Sequence, residues 1–217
     1  ELALSFTGDG KGLLGSAALE GDLTELAVLD IADGRVVKRV ASHPRACVWT
    51  VLGANLYSAA QVLLDPRTRE PQAVGFNYLV PEWRALNPDI QADFDALGKA
   101  RAGVIRVTSR DDADRWWTVE IDDDDTPGGV YLYDRAAKKP ILLTTTRDFL
   151  AKHRFAAMAP VVVKSRDGAD IPCYLTLPAG RGRKGFRFRL DRTFKHGYLL
   201  IKLRSGERSA SAAGAGA

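Results

Sequence analysis

Three histidines, His43, His153 and His196, are the side chains best suited to proton transfer near neutral pH, so the first question is whether any of them serves a nucleophile. A hydrolytic serine of the common kind sits on a Gly-x-Ser-x-Gly turn, where a sharp strand-to-helix bend exposes the hydroxyl beside N–H groups that bind an oxyanion. No such string occurs in the sequence. Ser16 follows Gly15 without the spaced glycines, and Ser205 precedes Gly206 in a basic tail. His43 precedes Pro44 in a turn, His153 falls in a polar connector and His196 lies in the tail, so none has a nucleophile and an orienting carboxylate to complete a relay. No residue is assigned a catalytic role.

The run Asp122-Asp123-Asp124-Asp125 offers the oxygen ligands that calcium takes, but it lacks the spaced Asp/Asn/Gly ligand loop and reads as an exposed loop leading into Thr126-Pro127-Gly128-Gly129. Two cysteines, Cys47 and Cys173, are too far apart in sequence for a ligand cluster and too few for a disulfide framework, and they leave the compartment open. Gly8-Asp9-Gly10-Lys11 lacks the spacing of a phosphate-binding loop and reads as a hairpin turn. No metal, no cofactor and no cofactor-binding residue are expected. Trp116-Trp117 and Trp83 could form a peptide-binding face. Adjacent residues of a strand point to opposite sides, however, so one of the pair is expected in the core and the other at an interface between sheets.

The elements that would position these residues are short β-type runs separated by turns, which predicts an antiparallel all-β architecture. Three similar units emerge, about 4–40, 47–86 and 103–146. They span about 37 to 44 residues, close to the length of one four-stranded propeller blade. In each, an apolar strand ends in aspartate before a polar turn: Leu29-Asp30, Leu64-Asp65 and Tyr133-Asp134. Aspartate suits that place because its carboxylate accepts from the N–H groups of the turn. Between the second and third units, Asn87 can cap, Pro88 suits a first helical position and Gly98 an end, with Ile90, Phe94 and Leu97 on one face. This predicts a helix over about 88–98, packed over a blade edge. Pro160 to Ser165 and Ile171 to Leu177 flank Arg166-Asp167-Gly168-Ala169 and predict a hairpin, with a boundary near 158.

The chain has 217 residues, 46% of them apolar and 27% charged, an ordinary globular composition. No stretch approaches the roughly 20 apolar residues of a membrane-spanning helix, and Glu1-Leu2-Ala3-Leu4 has no basic leader, so no membrane is expected as a partner. The net charge of +4 hides a break. Residues 1–180 carry 21 basic and 25 acidic side chains, whereas residues 181–217 carry 10 and 2. The basic run with interleaved Phe186 and Phe188 could track phosphates and stack bases, and binding through 181–208 would then fall steeply with salt. The compositional reading set against it is a solvated, non-native or disordered tail ending in Ala and Gly, and nucleic acid is not expected as a partner.

Several stretches carry a resemblance by their order and spacing: Asp65-Pro66 through Pro71-Gln72-Ala73-Val74, Pro81-Glu82-Trp83, Thr108-Ser109-Arg110 with Asp114-Arg115-Trp116, Tyr131-Leu132-Tyr133-Asp134-Arg135, and Met158-Ala159-Pro160 leading to Arg166-Asp167-Gly168 and Tyr174 through Gly180. From about residue 60 to 180 the sequence resembles the prolyl oligopeptidase family of serine peptidases, in particular its acylaminoacyl-peptidase and dipeptidyl-aminopeptidase-like members. The resemblance implies the last blades of an N-terminal β-propeller that gates the active site, followed by the first hairpin of an α/β-hydrolase domain. In that family a Ser, Asp and His of the hydrolase domain cut the peptide. The expected organisation is a partial β-propeller of about three four-stranded blades over 1–158, a hydrolase hairpin over 159–180, and the tail over 181–217, which departs from the family and resembles a truncated or frame-shifted reading. The expected partners are a peptide substrate in the parent enzyme and the missing hydrolase domain, and the chain itself is expected to be inactive. The alternative is a stand-alone β-propeller scaffold for protein interactions.

Overall fold

Alternation of inward and outward side chains organises the chain into antiparallel sheets. The computed structural model describes residues 2–52, 58–150, 152–153, 155–177, 186–190 and 201–205. Two compact units divide the chain, Glu1–Thr176 and Leu177–Ala217. The first unit opens with β1 (Leu2–Phe6), β2 (Gly12–Ala18), β3 (Thr24–Asp30) and β4 (Val36–Ala41), hydrogen-bonded in that order as one four-stranded sheet. Next come β5 (Thr50–Leu52) and β6 (Ser58–Ala60), paired with each other, then a three-stranded sheet of β7 (Val62–Leu64), β8 (Pro71–Asn77) and β9 (Pro81–Ala85). Helix α1 (Pro88–Ala100) leads to a third sheet of β10 (Val104–Arg110), β11 (Trp116–Asp122), β12 (Gly129–Asp134) and β13 (Lys139–Thr145), again in sequence order. After a single 3-10 turn at Asp148–Leu150, β14 (Met158–Lys164) and β15 (Asp170–Thr176) form a hairpin. In the second unit, β16 (Phe186–Leu190) pairs with β17 (Ile201–Ser205), antiparallel.

The all-β reading holds, with its single inserted helix and a hairpin at 158–176. The first and third sequence units each form four strands. The second is divided differently. Cys47 to Val51 contributes little more than β5 and a bridge from Val48 to Phe76, and β9 completes the sheet. A strand beginning at Pro81 is unexpected because proline cannot donate to a ladder. As the first residue of an edge strand it has no ladder bond to lose. The β-type run Leu56-Tyr57-Ser58 of the same unit predicts a further strand and falls mainly outside the described residues.

Aspartates close the hairpins as their position suggests. The Asp30 carboxylate accepts from Ala32 N at 2.7 Å, Asp65 from Arg67 N at 2.9 Å and Thr68 N at 2.8 Å, and Asp134 from Ala136 N at 3.0 Å and Ala137 N at 3.2 Å. In each turn the residue four places later is left-handed: Gly34 (φ 72°), Arg69 (φ 64°) and Lys138 (φ 52°). Three units thus use one turn geometry, with glycine at that position only in the first. The Asp167-Gly168 hairpin also forms, with Gly168 at φ 85°.

Helix α1 begins as its sequence directs: Asn87 Oδ1 accepts from Asp89 N at 2.8 Å and Pro88 occupies the first turn. Its end differs. Gly98 stays helical, and the helix runs to Ala100 before Arg101 turns out in extended conformation, its guanidinium anchored on Pro127 O at 2.7 Å and Thr126 Oγ1 at 3.1 Å. Tertiary anchoring of Arg101, and not the flexibility of glycine, sets the boundary.

Two cores flank β8, whose alternate residues serve both. Ala73 joins Leu63, Trp117, Val119, Ile121, Tyr133 and the helix residues Ile90, Phe94 and Leu97. Val74 and Phe76 join Leu14, Leu26 and Val48. The β7–β9 sheet therefore shares one core with the first sheet and another with the third.

Candidate functional site

Each residue that could do chemistry has a definite place. His43 Nδ1 accepts from Arg45 N at 3.1 Å, and Nε2 faces Glu82 Oε1 at 3.5 Å, beside the Phe76 ring. Both nitrogens are thus engaged with a main-chain amide and a carboxylate, and not with a hydroxyl or thiol that the imidazole could activate. His153 is exposed, and His196 lies outside the described residues. Ser16 is buried in the middle of β2 and not on a strand-to-helix turn. Strand β17 includes Ser205, whose side chain lies outside the described residues. Among the described residues no serine donates to a histidine.

The acidic run works as a tether. Asp122 Oδ2 accepts from Arg106 Nη2 at 2.9 Å, the Asp124 carboxylate takes the Met158 N–H, and Asp125 O accepts from Phe155 N at 3.1 Å. Burial, reinforced by the neighbouring carboxylates, pushes the Asp123 carboxyl up, while the Met158 amide holds Asp124 down. Asp123, Asp124 and Asp125 bring carboxylate oxygens within 4.8 Å of one another. Nothing in their surroundings beyond the cluster points to a cation. An open cleft of about 300 Å³ beside this run is lined by Val80, Val104, Met158 and Tyr174, and a second of about 500 Å³ by Leu14, Val28, Lys38 and Arg69. The Thr7 hydroxyl at the second cleft donates to Asp9 Oδ1 at 2.5 Å within a hairpin turn, and among the described residues neither cleft is lined by a serine, cysteine or histidine.

The tryptophans divide as their alternation requires. Trp117 is fully buried and Trp116 half-buried beneath the Arg115 guanidinium. Trp83 is bonded through Nε1 to Ile105 O at 2.7 Å and stacked on Phe94 at 5.2 Å, so it cross-links two sheets and does not present an open face.

What sequence reasoning missed is a polar network at the end of the Trp117 core. Asp93, on the apolar face of α1, is fully buried. It accepts from Tyr133 Oη at 2.9 Å, from Arg135 Nε and Nη2 at 2.8 Å, and from Lys138 Nζ. Arg135 Nη1 also reaches Asp114 Oδ2 at 2.6 Å. Asp114, left-handed at φ 53°, accepts from Trp117 Nε1 at 2.8 Å and Arg110 Nη1 at 3.0 Å. Arg110 Nη1 goes on to Gln72 Oε1 at 2.7 Å, and Gln72 Nε2 to Asp65 Oδ2 at 3.0 Å. The Arg135 and Arg110 guanidinium carbons lie 4.7 and 5.6 Å from the Trp117 ring centroid. Burial lowers the Arg110 pKa, and burial together with Asp93 raises that of Tyr133. The signal available in the sequence was Asp93 itself, three residues after Ile90 and four before Leu97, inside the apolar stripe, where a carboxylate requires cationic partners. Chemically the network holds elements together; it contains no group poised to react with a substrate.

No protein-family model matches the chain. The chain is 31% identical over 170 residues to dipeptidyl aminopeptidase BIII of Pseudoxanthomonas mexicana, an alignment that takes in 78% of this chain but only 23% of that protein's length. This similarity supports the prolyl oligopeptidase family resemblance, without singling out a member, and points to a peptidase family as the origin of the chain.

Proposed function

We propose that this chain is the non-catalytic propeller portion of a serine peptidase of the prolyl oligopeptidase family, whose parent hydrolyses peptides through a Ser/His/Asp triad that this sequence does not carry. The observation that carries the reading is the coincidence of a 170-residue match to a peptidase with a sequence that has no Gly-x-Ser-x-Gly. The four-stranded sheets β1–β4 and β10–β13, with the β7–β9 sheet sharing a core with each, suit blades of a propeller, and the β14–β15 hairpin suits the entry to a hydrolase domain. In the parent the propeller would exclude large folded substrates and the missing hydrolase domain would be its partner.

Reading the flanking DNA in all frames tests the proposal. A serine-hydrolase elbow encoded downstream of codon 180 is expected, and its absence, with further blades instead, would favour a scaffold. On the purified chain, a fluorophosphonate probe is expected to leave no label; stoichiometric labelling would reveal a nucleophile and refute the non-catalytic assignment.

A further inference from the structure

Two junctions join the β1–β4, β7–β9 and β10–β13 sheets of the first unit, and they are built from different chemistry. Between the first sheet and β7–β9 the contact is hydrocarbon, through Leu14, Leu26, Val48, Val74 and Phe76. Its side-chain cross-links are uncharged or lie at the rim: Val48 N to Thr24 Oγ1 at 3.1 Å, Arg84 Nη1 to Ser42 O at 2.5 Å, and His43 facing the exposed Glu82. Between β7–β9, α1 and β10–β13 there is hydrocarbon too, but a buried polar chain crosses it. It passes from Asp65 after β7 to Gln72 on β8, Arg110 on β10, Asp114 before β11, Arg135 after β12 and Asp93 on α1, with each step 3.0 Å or less. The Asp93, Arg110, Asp114 and Arg135 side chains are only 0, 7, 13 and 18% exposed.

Parting a hydrocarbon junction costs its dispersion contacts and the apolar area exposed, and leaves no charge behind. Parting a buried ion chain costs more, since separating Arg135 from Asp93 or Asp114 strands the partner's charge away from water. We propose that Arg135, shared by Asp93 and Asp114, is a clasp that makes α1, β7–β9 and β10–β13 one block that opens as a whole, while β1–β4 opens separately from it. Helix α1 is then a strap that ties one sheet to the next.

Native-state hydrogen exchange of the full chain in low urea, followed by peptide mass spectrometry, tests it. The amides of α1, β8 and β10–β12 are expected to share one opening free energy and one urea dependence, distinct from those of β2 and β3. In Arg135→Met, exchange across the whole block is expected to quicken by about ten-fold or more with β2 and β3 unchanged, while Arg115→Met, a change at an exposed arginine, moves neither. Exchange of α1 independently of β10–β12 in the wild type would overturn the proposal. So would equal loosening of β2 and β3 in Arg135→Met. Should that variant fail to fold, the wild-type measurement decides alone.

Discussion

Removing the Asp93 carboxylate takes away the acceptor shared by Tyr133, Arg135 and Lys138, and breaking one side of a buried ion cluster costs more than the cluster contributes as a whole. Asp93→Ala is therefore expected to lower the unfolding free energy by about 3 to 5 kcal/mol in urea titrations. A loss below about 1 kcal/mol would show that water already serves these cations. The same site gives an alkaline signature. Burial and Asp93 hold the Tyr133 hydroxyl protonated well beyond its ordinary range, so above about pH 10 the unfolded chain sheds this proton while the folded chain keeps it. Stability contributed by the protonated phenol is full below that pH and falls as pH rises. Tyr133→Phe is expected to flatten the decline, as thermal melts from pH 8 to 11 would reveal; an unchanged slope would remove Tyr133 as its origin. At the acid end, the Thr68 and Arg67 amides hold Asp65 below its ordinary value, so its contribution is present above about pH 4 and fades as pH falls.

At the level of elements, the three equivalent turns offer a comparison within one molecule. Gly34 accepts its left-handed backbone freely, whereas Arg69 holds the same conformation with a side chain attached. Gly34→Val is expected to cost about 1 to 2 kcal/mol, and Arg69→Gly to be neutral or stabilising, in paired chemical denaturation curves. Comparable losses for both would mean that the turns are not equivalent. These turns and the start of α1 were legible in the sequence because their causes are local: Asp65 meets amides two and three residues away, and Asn87 meets one two residues away. Strand β9 was not legible, because Pro81 argues against a ladder until its edge position is known. The polar network was still less so. Arg135 lies 42 residues from Asp93 and 21 from Asp114, and only the fold brings them together. Asp93 alone announced that something charged had to meet it.

Across the molecule, the described residues include two buried polar or charged ones, Ser16 and Asp93, and leave some large apolar side chains exposed on edge strands. Among the described residues no helix is long and apolar enough to cross a membrane. Strand β13 is the last of its sheet, and Ile141, Leu142 and Leu143 on it are 44, 51 and 55% exposed. A strand at a sheet margin keeps unused main-chain donors and acceptors along one side, and here greasy side chains accompany them. Lys139 and Pro140 guard only its start. Concentrated solutions of the purified chain should accordingly turn cloudy on standing, and Leu143→Lys should slow the clouding by light scattering; an unchanged rate would shift the origin to another margin, strand β4, where Val37 is 65% exposed.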